Sequence, residues 1–219
     1  MIAAPSTYYA IVSQLPGGAV VTFHDATWEE YEELLEQVGE AAGLRISYND
    51  GTLKVMSLSH EHEKYVRFIE SLIVAIKLAL RVDILSFGSA TMRKAGIRKG
   101  NEPDASFYIQ TAGVIGNRIE IDLSVDPPPD VVLEVDIHHA SQENDSIYAA
   151  FGVPEIWRFE KGEMFILRLH QDRYLPAEAS AALPMLTPAL LTAFLSRMRQ
   201  EGDFAAILAF DEWLRTLRQ

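Results

Sequence analysis

The segment VVLEVDI, residues 131–137, constrains this chain more than any other. It is aliphatic except for Glu134 and Asp136, so it predicts a central strand of an α/β fold, buried on both faces apart from one functional edge. Residues two apart on a strand project from the same face, which puts both carboxylates side by side. Asp104 adds a third acid, directly after Pro103 at the start of a neighbouring predicted strand, EPDASFYI. Crowded carboxylates repel one another and lose hydration, and a hard divalent cation such as Mg²⁺ relieves both problems through oxygen ligands. The alternative is a structural network in which arginines pair with the acids, or an edge strand that faces water.

Around this strand the elements are legible. Thr27 and Glu30 have the spacing of a capping box, and Trp28, Tyr31, Leu34, Leu35 and Val38 follow at helical intervals, predicting a helix that ends near Gly39 or Gly43. Asp50-Gly51 between two short β-prone runs predicts a hairpin. From about His60 to Arg81, Val66, Ile69, Ile73, Ile76 and Leu80 recur as one buried helix face, the longest in the chain. VDILSFG, a basic loop and EPDASFYI come next. A short helix over Ser141–Phe151 ends at Gly152, and EIWRF with MFILRLH makes a second hairpin. Two amphipathic helices joined at Gly202 close the chain, packing on the body or on a second subunit.

A chain of 219 residues, 48% hydrophobic and 23% charged, suits one large domain over residues 1–219, with a helical appendage over about 185–219. The absence of cysteine removes disulfides, thiolate-bound zinc and thiol catalysis, and fits a reducing compartment. The N-terminus lacks the pattern of a secretion signal. The apolar stretch from Phe68 to Leu85 is broken by Glu70, Lys77, Arg81 and Asp83, so no membrane partner and a cytoplasmic location are expected. Nineteen basic against thirty-one acidic residues give a net charge of -12, which repels nucleic acid on average. Contact with it must be local, and Arg93, Lys94, Arg98 and Lys99 form the one dense basic cluster, either a solvated loop or a nucleic-acid-binding patch.

Other signals are weaker. His60 and His62 point about 200° apart on a helix and lack the spacing of a zinc protease. His62 falls at the start of the buried stripe, as a core-edge or a site residue. His138-His139 suit a solvated loop, Trp157 and Trp213 a core or interface, and Tyr148 either packs its helix or reaches the acids. No nucleophile elbow, P-loop or dinucleotide fingerprint is present, against serine hydrolase, NTPase and Rossmann chemistry.

The strings EPDASFYI, DLSVDPPPDVVLEVDI and IYAAFGVPEIWRF, with ISYNDGTLKVMSLSHEHE and FGSATMRKAGIRKGNEPD, resemble the Uma-type family of bacterial restriction endonucleases, within the PD-(D/E)xK nuclease superfamily. The resemblance spans about residues 20–175. It implies a restriction-endonuclease-like core, a mixed sheet flanked by helices, and Mg²⁺- or Mn²⁺-dependent hydrolysis of DNA. Carried over by position, the metal ligands are Asp104 and Glu134, with Glu63 on the first core helix and Asp136 bordering the site. A homodimer is expected, since such folds often pair to address both strands.

The chain departs from the pattern at its cation. Asp136 stands where the superfamily's lysine belongs, and Asn144 where relatives place a substitute on the following helix. Losing such an electrostatic contact costs on the order of 10²-fold in rate. Lys94 or Arg93 could supply the charge, Asp136 could bind a second metal, or Gln142 or Asn144 could position water. The alternative is a catalytically silent relative that binds nucleic acid or a protein partner.

Overall fold

The structure is a computed structural model that describes residues 7–39, 43–137 and 141–217. In chain order it begins with α1 (Thr7–Val12), β1 (Val20–Phe23), α2 (Trp28–Val38), β2 (Leu44–Asn49), β3 (Thr52–Ser57) and α3 (His60–Leu80). Next come β4 (Leu85–Ser86), β5 (Met92–Lys94), β6 (Lys99–Asn101), β7 (Ala105–Tyr108), α4 (Ala112–Ile115) and β8 (Val131–Asp136). The chain closes with α5 (Asp145–Phe151), β9 (Glu155–Glu160), β10 (Glu163–His170), β11 (Arg173–Pro176), α6 (Pro188–Glu201) and α7 (Asp203–Thr216). His138 and His139 lie outside the described residues.

Two compact units result, Met1–His60 with Thr91–Glu102, and Glu61–Ala90 with Pro103–Gln219. The first carries a five-stranded sheet in the order β1-β3-β2-β6-β5. Its α2 starts as expected: the Thr27 hydroxyl accepts from the Glu30 N–H while the Glu30 carboxylate accepts from the Thr27 N–H. The β2–β3 hairpin turns at Asp50 and Gly51, both at positive φ (45° and 95°) as a tight two-residue turn requires. Trp28, Tyr31 and Tyr48 pack their rings together in the core of this unit. The segment expected as a basic loop is instead a hairpin, β5 paired with β6 across a 3-10 turn at Ala95–Ile97. Arg98 adopts the left-handed conformation there, a turn signal that an arginine does not advertise.

The second unit holds a six-stranded mixed sheet in the order β11-β10-β9-β8-β7-β4. β8 sits inside it, parallel to β9 and antiparallel to β7, and every residue from Val131 to Asp136 is buried. This matches the reading of VVLEVDI as a central strand. The expected strand VDILSFG shrinks to Leu85–Ser86, while β11 was not anticipated from its sequence. One core gathers Val66, Ile69, Ile73 and Ile76 of α3 with the sheet and with Leu191, Leu195, Met198, Phe210 and Leu214 of α6 and α7. The C-terminal helices thus pack on the body of their own unit, while Phe204 and Leu208 of α7 stay exposed. Among the described residues no helix is long and apolar enough to cross a membrane.

Candidate active site

The acids meet in the second unit because of strand register. β7 and β8 are antiparallel with Ala105 opposite Leu133, and the Asp104 N–H donates to the Leu133 carbonyl at 3.0 Å. Asp104 directly precedes β7, close enough for its charge to act on Glu134. Asp136, two residues after Glu134, shares its strand face. All three are buried, at 4%, 5% and 7% exposure.

Each acid is held differently. Asp104 accepts from the Val135 N–H at 2.8 Å, and its Oδ2 lies 2.9 Å from Nε2 of His62, a buried residue of the first turn of α3. Glu134 accepts from the Tyr148 hydroxyl, which α5 delivers from its buried face. Asp136 accepts from the N–H and the hydroxyl of Ser141, at 2.9 and 3.1 Å. Burial, then repulsion from Asp104 and Asp136, pushes the Glu134 carboxyl up from 4.5 to about 8. Burial also raises Asp136, against the pull of Ser141 and Arg158.

Arg158 is the residue that sequence reasoning missed. β8 and β9 run parallel with Glu134 in register with Arg158 and Asp136 in register with Glu160, so Arg158 stands beside Glu134 on the neighbouring strand. Arg158 is 3% exposed. Its Nε donates to the Ser141 hydroxyl at 3.3 Å and lies 3.4 Å from Asp136, while its two terminal nitrogens bond to Asp145. Burial opposes its charge, yet Asp145, Glu134 and Asp136 together hold it protonated beyond its ordinary range. The available signal was an arginine set between the aromatic residues Trp157 and Phe159 of a buried strand, a charge as anomalous there as Glu134 is in VVLEVDI.

Other expected site residues are placed as follows. His62, one position before Glu63, links α3 to the acids, whereas the Glu63 carboxylate lies 3.6 Å from Arg67 on the next turn and 3.8 Å from His62 Nδ1. Of the basic cluster in the first unit, Arg93 lies 3.6 Å from Glu32, Arg98 donates to the Tyr48 hydroxyl at 3.1 Å, and Lys99 donates to Asn49. Lys94 is exposed on β5. Asn144 precedes α5 and turns its N–H to the Ser141 carbonyl. Among the described residues no group of three or more histidine, aspartate or glutamate side chains is arranged to hold a metal ion.

A family of known proteins covers this arrangement. The Uma2 family, described as "Putative restriction endonuclease", matches residues 28–198, including every acid of the site. The chain belongs to this family. Among solved structures, one from Anabaena variabilis, described as "a putative nuclease belonging to DUF820", is similar with a TM-score of 0.52 at 14% identity, covering 78% of this chain and 99% of that one. At that identity the likeness speaks for the fold, a restriction-endonuclease-like one. No curated protein matches.

Proposed function

We propose that this Uma2 protein is a metal-dependent nuclease that hydrolyses phosphodiester bonds of DNA at the Asp104–Glu134 pair. The supporting observation is a pair of buried carboxylates, Asp104 and Glu134, in which burial and the neighbouring acids disfavour the ionisation of Glu134. The donor set fits a hard cation, since Mg²⁺ keeps several waters and takes only one or two carboxylates. When bound, Mg²⁺ or Mn²⁺ lowers the pKa of the attacking water and offsets charge on the phosphate and leaving oxygen.

The chain's own residues supply the rest. Val135 and His62 fix the Asp104 carboxylate, and Tyr148 orients Glu134. Glu134, with its carboxyl raised to about 8, must release a proton to become a ligand, so cation binding carries proton release. In the hydrolysis the water oxygen bonds to phosphorus and gives up a proton to solvent, the phosphorus–oxygen bond to the leaving group breaks, and the departing oxygen takes up a proton.

Titration with Mn²⁺ in buffers of different ionisation enthalpy, and cleavage of plasmid and single-stranded DNA by wild type and Glu134→Ala, test the reading. Binding with proton release, and cleavage that Glu134→Ala abolishes, is expected; equal activity of the two proteins refutes it. The substitution of the usual lysine by Asp136, with Asn144 at the alternative place, supports a second reading, a silent family member that binds DNA or a protein partner. A folded protein with no Mn²⁺ affinity decides for that one. Turnover of bis(p-nitrophenyl) phosphate without DNA binding would point to a smaller phosphate ester.

A further inference from the structure

We propose that Arg158 supplies the cation that positions 136 and 144 lack, and that by engaging Asp136 it leaves a single divalent ion to Asp104 and Glu134. The inference rests on the nuclease reading above and names the charge that reading is missing.

Three observations carry it. The guanidinium is buried in the middle of a core strand, where a charge is kept only if it is paired. Parallel register sets Arg158 beside Glu134, so a base flanks the acid on the neighbouring strand. The tether to Ser141 and Asp145 brings the guanidinium to the two residues that bracket Asn144, the place of the relatives' lysine. It reaches that stretch from β9 instead of from the helix.

Asp136 is meanwhile compensated by two donors from Ser141 and by the nearby Arg158 Nε. A second cation at Asp136 would face a permanent positive charge 3.4 Å from that carboxylate. A guanidinium does not exchange protons at working pH, so Arg158 contributes charge and placement, not acid or base chemistry. It is a positioning residue that acts through Asp136 and Glu134.

The test pairs Mn²⁺ calorimetry with plasmid cleavage and urea unfolding, on the full chain, for wild type, Arg158→Lys and the double variant Arg158→Met/Asp136→Asn. The double variant removes both charges, leaving no orphaned buried carboxylate at position 136. One Mn²⁺ per chain is expected in wild type and in the double variant, with affinities within a few-fold, while the double variant's kcat drops about 10²-fold and its KM barely changes. Arg158→Lys should keep kcat within roughly tenfold of wild type, because the charge survives. Two Mn²⁺ in wild type, or a double variant as fast as wild type, overturns the proposal. Should the double variant not fold, Arg158→Lys decides: a folded, Mn²⁺-binding lysine variant as inactive as Glu134→Ala also overturns it. A wild type that neither binds Mn²⁺ nor cleaves removes the nuclease reading, and this one with it; a wild type that does both, with unchanged Arg158 variants, removes this one alone.

Discussion

Replacing Glu134 with glutamine should stabilise the cation-free protein at alkaline pH and leave it nearly unchanged at acid pH. Glutamine keeps an oxygen for the Tyr148 hydroxyl but cannot ionise. The wild-type carboxyl sits at about 8 in the folded protein against 4.5 ordinarily, chiefly through burial. For an acid raised on folding, the protonated form is the one the fold tolerates. Its stability is therefore fully present below about 4.5, declines as pH rises, and levels off once pH passes the folded value near 8. At about 1.4 kcal/mol per pH unit the loss is on the order of 5 kcal/mol, a large share of the roughly 5–15 kcal/mol that holds a typical domain.

Urea unfolding in EDTA between pH 4.5 and 9 measures this directly, read as the difference between variant and wild type so that groups titrating in both cancel. The difference should grow by a few kcal/mol toward the variant, equivalent to roughly 10 °C in Tm for a unit of this size. Added Mn²⁺ should then narrow or reverse the gap at pH 8 by stabilising only the wild type, by about 2.7 kcal/mol at a hundred times Kd. A difference that stays flat with pH would refute the argument that Glu134 is desolvated and crowded by Asp104 and Asp136.

Asp130→Ala should cost about 2–4 kcal/mol in urea unfolding, since one carboxylate oxygen accepts from the Ile109 and Thr111 N–H groups and the Thr111 hydroxyl, and truncation orphans all three. Gly100→Ala should destabilise the first unit by about 1–3 kcal/mol, because a Cβ there would lie 2.2 Å from the hydroxyl of Tyr31, whose ring is clamped by Trp28 and Tyr48. Thermal melting monitored by near-UV circular dichroism reads that loss, and a melting point equal to wild type would contradict it. Arg93→Ala/Lys94→Ala should weaken DNA binding in fluorescence anisotropy and lower the slope of log K against log salt by about 0.9 per lost phosphate contact. An unchanged slope would assign the β5–β6 cations to the first unit's own ion pairs.

Much of this protein could be read before folding was considered, and the reason is local. The capping box at Thr27, the Asp50-Gly51 turn and the apolar period of α3 are decided by contacts within a few residues, so spacing alone identifies them. The burial of VVLEVDI was equally legible, because an aliphatic run tolerates water on neither face. Glu134 and Asp136 stood out as charges in that run. The basic hairpin was hidden because its strands are three residues each and its turn is built on an arginine in the left-handed region. Only the sheet could decide the site: which residue faces Glu134 depends on the pairing of β8 with β7 and β9, strands distant in sequence, and one residue of slip would turn Arg158 to the opposite face. The sequence therefore named the acids, while strand register brought Arg158 to them and the packing of α3 brought His62, because both are fixed across the whole core and not by any local run of residues.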